Sequence, residues 1–173
     1  MKAIVTLAAA LTIAGCTTLG GVPTLRLATA DLRLGNGLPA GEAVLTAAGD
    51  KVMLTIAAVG LPQGIHGVHL HMVGACDAPA FTTAGGHLNP AGHQHGTLNP
   101  AGSHLGDLPN LVATTAGAAA LTTELKASRA EAETTIFDSD GTAIVVHAGP
   151  DDYKTDPSGN SGARIACGVF KRS

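Results

Sequence analysis

The sequence predicts an all-β fold, an antiparallel sandwich or barrel. Two observations carry that prediction. Short runs of alternating or β-branched apolar residues recur along the chain, and turns rich in Gly, Asn and Asp separate them. Leu25–Ala28 and Asp31–Leu34 alternate and run into the turn Gly35-Asn36-Gly37. Ala43–Thr46 and Val52–Ile56 flank Ala48-Gly49-Asp50-Lys51, a hairpin signal. Val68–Val73 reads as the next strand, and strand-like segments resume at Leu111–Ala113, Ala118–Leu125, Ala143–His147 and Ile165–Phe170. Residues 74–110 lack periodicity, and a loop of that length in a compact domain is usually functional. Gly149–Gly162 is a second irregular stretch, and Ala127–Thr134 reads either as a short helix or as a loop. The echo between Leu88–Gly92 and Leu98–Gly102 is duplicated turn chemistry within one loop, not a repeat architecture.

The chain has 173 residues, one domain's worth, enough to bury about two-thirds of its unfolded surface. Hydrophobic residues make up 45%, yet there is no Trp, one Tyr and three Phe. The core must therefore be built from Val, Leu, Ile and Ala, and such a core gains from a metal or disulfide staple. The formal net charge of −3, with no basic run, heptad or phosphate loop, excludes nucleic acid and anionic membrane surfaces as partners by bulk electrostatics.

The N-terminus is a separate object. Lys2 precedes an apolar stretch, Ala3–Ala14, of signal-peptide length and too short to span a bilayer. It ends in Ile13-Ala14-Gly15-Cys16, which resembles a bacterial lipoprotein signal in which the cysteine becomes the lipidated first residue. The expected division is a signal peptide over 1–15, a lipid-anchored tether over 16–23 and a folded domain over 24–173. Removing residues 1–15 takes away Lys2 and no acid, which moves the net charge from −3 to −4. Three cysteines are an odd number for an exported chain, but with Cys16 lipidated, Cys76 and Cys167 remain as a pair for a disulfide in an oxidising compartment. Thr17 after Cys16 lacks the Asp that often retains lipoproteins at the inner membrane, so the anchor leans to the outer one.

The chemistry lies in the histidines. Seven of the eight fall between His66 and His104, and the eighth, His147, ends the apolar run Ile144-Val145-Val146. Residues i and i+2 of a strand share a face, so His69 and His71 can converge on one ion, with His147 brought in by strand pairing. Adding His87 gives four imidazoles, a set that suits copper. His87, His95, His104 and Asp107 form a second set, three imidazoles and a carboxylate, which fits tetrahedral zinc and explains the long loop. His87 is needed in both, and an imidazolate deprotonated at both nitrogens could bridge two cations.

At this point a family resemblance enters. His66-Gly67-Val68-His69-Leu70-His71, Gly85-Gly86-His87-Leu88-Asn89-Pro90, His104-Leu105-Gly106-Asp107-Leu108-Pro109-Asn110 and Ser158–Gly168 resemble the signatures of copper/zinc superoxide dismutase. Each motif is moderately specific; all of them in order are very specific. The resemblance runs from about Leu25 to the C-terminus and is closest to the bacterial periplasmic type, which Ile144–Tyr153 also resembles. It implies an eight-stranded antiparallel Greek-key sandwich or flattened barrel with two long functional loops. It implies His69, His71, His87 and His147 as copper ligands and His87, His95, His104 and Asp107 as zinc ligands. Arg164 would guide superoxide, Asp151 would link a copper histidine to a zinc histidine, His66 would be a hydrogen-bonding strut behind the site, and Cys76–Cys167 would be the family disulfide. Asp152, Lys154 and the solvent-facing His93 receive no role. Val68 stands where Phe is usual, which changes packing, not chemistry, and Ala75 stands where Asp or Lys is more familiar. The segment between His147 and Arg164 is short.

The implied activity is conversion of superoxide to dioxygen and hydrogen peroxide by one-electron Cu(II)/Cu(I) cycling in the cell envelope, by a monomer or homodimer. The rival reading is a non-catalytic exported copper or zinc buffer. An inactive relative of the family should lack a copper ligand, the bridging histidine or the arginine, and none is missing.

Overall fold

The described residues form ten strand segments, one short α-helix and a 3₁₀ turn over Thr82–Ala84: β1 (Thr24–Leu34), β2 (Pro39–Ala48), β3 (Lys51–Ala58), β4 (Gly64–His66), β5 (Val68–His71), β6 (Leu111–Ala113), β7 (Ala119–Ser128), α1 (Arg129–Ile136), β8 (Ala143–His147), β9 (Arg164–Val169) and β10 (Lys171–Arg172). The computed structural model describes residues 23–173; the expected signal peptide, Cys16 and the tether as far as residue 22 lie outside the described residues. Gly67 alone separates β4 from β5, and Phe170 alone separates β9 from β10. The segments thus make the eight runs that the resemblance implied.

All strand pairings among the described residues are antiparallel. The large sheet runs β5-β8-β9-β1-β2-β3-β7, with β10 also on β1, and β4 pairs with β6. At one end, β7 is joined to β6 by the turn in which Thr114 N–H donates to Ala118 O. β6 pairs with β4, which continues through Gly67 into β5 at the other end. The strands therefore curl around one core in the Greek-key arrangement of this fold class.

Inward residues follow strand parity. Val52, Leu54, Ile56 and Ala58 of β3 face Ala43, Leu45 and Ala47 of β2, and all are buried. The core is aliphatic, as the composition required; Phe170 is its only buried aromatic ring among the described residues. Three details depart from the sequence reading. β4 was not foreseen, because three residues containing a Gly are too few to show alternation. The Val68–Val73 strand stops at His71. The ambiguous Ala127–Thr134 segment is a helix, starting two residues later, because Ser128 caps it by accepting the Glu131 N–H and because Ala132 and Ile136 bury a narrow apolar stripe.

β8 positions the site. It is buried along its whole length: Ile144 and Val146 enter the main core, whereas Ala143 and Val145 face outward. On that outer face they pack with Phe81, Ala84 and Cys167 into a second small cluster, made by the first part of the long loop folding back over the sheet.

Candidate metal centre

The same parity turns the histidines outward. On β5, Val68 and Leu70 point into the core, so His69 and His71 take the outer face, opposite Val145 and Ala143 of β8. His147 continues the outward row of Ala143 and Val145. The loop 74–110 lies over this face and brings His87 down beside them; its ring stacks on that of His69 at 3.9 Å between centroids.

Hydrogen bonds fix which nitrogen of each ring is free. His71 Nδ1 donates to Gly85 O at 3.0 Å, His147 Nδ1 to Gly162 O at 3.0 Å, and His69 Nε2 to Asp151 Oδ2 at 2.8 Å. The opposite nitrogens, His71 Nε2, His147 Nε2 and His69 Nδ1, are buried and have no partner among the described residues, and neither has His87 Nε2. The ligand atoms of these four rings all lie within 4.8 Å of one another. An unsatisfied buried acceptor costs about 1–3 kcal/mol. Four of them aimed at one point make no sense as packing and fit a cation that takes imidazole nitrogens.

The second group gathers on Asp107 Oδ1, which lies 3.0 Å from His87 Nδ1, 3.0 Å from His95 Nδ1 and 3.1 Å from His104 Nδ1. Asp107 Oδ2 accepts from the backbone of Gly96 at 2.8 Å and of His104 at 3.0 Å. Gly96 has φ +100, and a Cβ there would collide with the Tyr153 carbonyl, so only Gly presents that N–H. Proximity alone also groups His69 with His87, His95 and Asp107. His69 is excluded from this group by chemistry: its Nε2 is committed to Asp151 and its Nδ1 faces the first set. His104 Nδ1 lies 3.4 Å from His87 Nδ1 and 3.1 Å from Asp107 Oδ1, in the place His69 leaves open.

Asp151 joins the two groups. Its Oδ2 accepts from His69 and its Oδ1 from His95 Nε2 at 2.9 Å. Burial works against ionising this carboxyl, but the hydrogen bonds from His69, His95 and Tyr153 N–H outweigh it and hold the group well below the usual carboxylate range. Burial is likewise outweighed at Asp107 by His87, His95 and the Gly96 N–H. The imidazoles of the first group go the other way. Desolvation lowers His69 to about 3, His71 to about 2 and His147 to about 4, and lowers His87 as well, so all four rings are neutral at neutral pH. Burial also disfavours the charge of His95, but carboxylates on both its nitrogens raise it to about 9.

A cavity of about 370 Å³ opens onto the first group, lined by His71, His87, His147, Asn89, Pro157 and Arg164 among others. Arg164 opens β9 directly across from His147. Its guanidinium donates to Phe81 O at 2.7 Å and Gly85 O at 2.6 Å, so the loop that carries His87 also holds the arginine. The Cys76–Cys167 disulfide, with Cα atoms 5.7 Å apart, staples that loop to β9. His66 spans His147 O at 2.7 Å and Pro62 O at 2.8 Å behind the site. His93 is exposed, its Nδ1 on Ser103 O.

The sequence profile of a family described as copper/zinc superoxide dismutase (SODC) matches residues 39–170. The chain belongs to the copper/zinc superoxide dismutase family. A Cu-Zn superoxide dismutase of Caulobacter vibrioides is 43% identical over 150 residues, covering 83% of this chain and 85% of its own. A second, from Aquifex aeolicus, is 42% identical over 135 residues, covering 76% and 78%. Among solved structures, a superoxide dismutase-like protein from Bacillus subtilis superposes with TM-score 0.73 at 35% identity, over 82% of this chain and 96% of that one. The Cu/Zn superoxide dismutase from Brucella abortus gives 0.65 at 28% identity, over 86% and 100%. The activity is accordingly superoxide dismutation, and the cofactors of this superoxide dismutase are copper and zinc.

The sequence reading assigned no role to Asn110, Asp156 or Tyr153. Asp156 Oδ1 accepts the His95 N–H at 2.6 Å, and Asn110 and Tyr153 both touch Asp151. Asn110 and Tyr153 stood inside the motifs, but no spacing rule marked them.

Proposed function

We propose that His69, His71, His87 and His147 hold copper, that His87, His95, His104 and Asp107 hold zinc, and that the cavity beside Arg164 admits superoxide. One observation carries this reading: four buried imidazole nitrogens without partners surround one point, and the one from His87 belongs to a ring whose other nitrogen meets the Asp107 group. Bound copper supplies a one-electron redox couple, while zinc supplies a fixed positive charge. The chain supplies the rest. Arg164 is the only formally charged side chain lining the cavity among the described residues, and it offers an anion a fixed guanidinium already oriented by two carbonyls. His87 also lines the cavity, and its Nε2 is the atom that would take a proton from solvent and pass it to the reduced product whenever copper does not hold it. Neutral imidazoles keep the donor lone pairs free, and Asp151 orients one ring from each group. The balance is two superoxide and two protons to dioxygen and hydrogen peroxide.

The N-terminus supports a placement in the cell envelope, with residues 1–15 removed, Cys16 lipidated and residues 24–173 as the catalytic domain. The lean is to an outer-membrane anchor. The decisive experiment measures superoxide decay with residues 17–173 loaded with copper and zinc, against the same protein loaded with zinc alone. Fast, copper-dependent decay is the expected result. Equal rates would reduce the site to storage and withdraw the roles of Arg164 and His87. Replacement Cys16→Ser in the full chain should release the protein from the membrane fraction.

A further inference from the structure

A carboxylate that serves two rings at once must itself be held. Asp151 sits in the loop between β8 and β9, a position where an Asp ordinarily samples several rotamers. Here its carboxylate, 3% exposed, reaches His69 and His95 together.

We propose that Asn110 and Tyr153 form one positioning unit that sets the Asp151 carboxylate across the two metal groups. The inference rests on the ligand roles proposed above and deepens them.

Asn110 stands immediately before β6, so the sheet anchors it. Its side-chain amide clamps both backbone groups of Asp151. Oδ1 accepts the Asp151 N–H at 2.9 Å, and Nδ2 donates to Asp151 O at 3.0 Å. Only an amide of this length can do both: an Asp lacks the donor, and a Ser lacks the reach and the second group. Tyr153 closes the ring from the other side. Its phenol oxygen accepts the Asn110 N–H at 2.7 Å, and its own N–H donates to Asp151 Oδ1 at 2.6 Å. Tyr153 adopts φ 61, the left-handed region that side-chain-bearing residues avoid. That backbone turn points its N–H at the carboxylate while the ring runs back to Asn110. Its carbonyl accepts from Leu98 N at 3.0 Å, which ties the unit to the segment between His95 and His104. Residues 41 apart in sequence thus converge on a single carboxylate, and every contact ends on Asp151, on Asn110 or on the loop carrying the second group.

The test compares the parent with Asn110→Ala, Tyr153→Phe and the double variant, each disulfide-bonded. Zinc affinity is read by chelator competition, and the copper environment by the electron paramagnetic resonance of Cu(II). The parent arm stands alone: failure of the parent to bind one zinc and one copper would overturn the ligand assignment itself. Given a competent parent, Asn110→Ala should weaken zinc by about tenfold and Tyr153→Phe by about threefold, below or at the low end of effects seen for groups that touch a ligand directly. Both should change the Cu(II) spectrum through His69. The double variant should lose little more than Asn110→Ala alone, as members of one unit do. Zinc affinities within about twofold of the parent with an unchanged Cu(II) spectrum would overturn the proposal, whatever the melting temperature does. If Asn110→Ala does not fold, Tyr153→Phe, which removes a single oxygen, decides the matter by the same two readouts.

Discussion

Breaking the Cys76–Cys167 disulfide should cost this protein both stability and turnover, by separable amounts. The two cysteines are 91 residues apart in sequence. For a closed loop of that size, the lost chain entropy of the unfolded state is worth about 4.6 kcal/mol at 25 °C. The perturbation is the double replacement of both cysteines by serine, so that no lone thiol remains. The assay is urea unfolding of metal-free protein, because bound ions would add their own binding energy to the folded state. With a slope of about 2 kcal/mol per molar, the midpoint should fall by roughly 2 M. Turnover should fall for a different reason. The staple holds the loop whose carbonyls, Phe81 O and Gly85 O, fix Arg164, so the metal-loaded variant should dismute more slowly even at temperatures where it is fully folded. A midpoint shift below about 0.5 M would refute the entropic reasoning, since that is under a quarter of the expected change. An unchanged rate would refute the link from staple to arginine.

Other expectations follow from the site's geometry. Asp151→Asn leaves one acceptor for two N–H donors, at 2.8 and 2.9 Å in the parent, so both histidines lose their charged partner and one loses its acceptor; zinc affinity by chelator competition should drop about 10–100-fold, and a drop under about threefold would contradict it. Arg164→Ala removes the cavity's only formal charge among the described residues. The rate constant with superoxide should fall about tenfold and lose most of its dependence on ionic strength, which stopped-flow measurement across salt concentrations would detect. Gly159→Ala would place a methyl on the Asp151 carboxylate at a residue with φ +63, so its zinc affinity should fall at least as far as that of Asp151→Asn. For the metal-free protein, His69, His71 and His147 are lowered from 6.5 to about 3, 2 and 4, so the unfolded state binds more protons below pH 6.5 and stability falls as the pH drops towards 4 and below. His95, raised to about 9, contributes stability that is full below 6.5 and lost as the pH climbs to 9. The metal-free melting temperature should therefore peak near pH 6.5, and a flat profile between pH 5 and 8 would count against these shifts.

The strands were legible because parity is written in the chain. Val52, Leu54 and Ile56 announce β3, and His69 and His71 reveal their shared face by standing two apart. The clustering of the seven residues proposed as ligands was legible for a chemical reason: few residue types bind metals, and their density cannot be packing. What the sequence hid was set by tertiary placement. β4 is too short for a pattern and is created by its pairing with β6. The helix boundary depended on whether Ser128 would cap it. The hydrogen bonds of Asn110, Tyr153 and Asp156 go mostly to backbone groups of residues distant in the chain, and backbone groups carry no sequence signal. Tyr153 in particular adopts a conformation that its residue type disfavours, so local propensity argued against the geometry it has.

The composition that deprived the core of aromatic anchors has an optical consequence. With no Trp and one Tyr in the chain, near-ultraviolet emission and most of the aromatic absorption come from a single phenol, that of Tyr153. That phenol sits 2.7 Å from the Asn110 amide and two residues from the carboxylate shared by His69 and His95. The protein thus carries its own chromophore at the junction of its two ion-binding groups. Loading and unloading of the ions should therefore change its intrinsic fluorescence, a readout that needs no label.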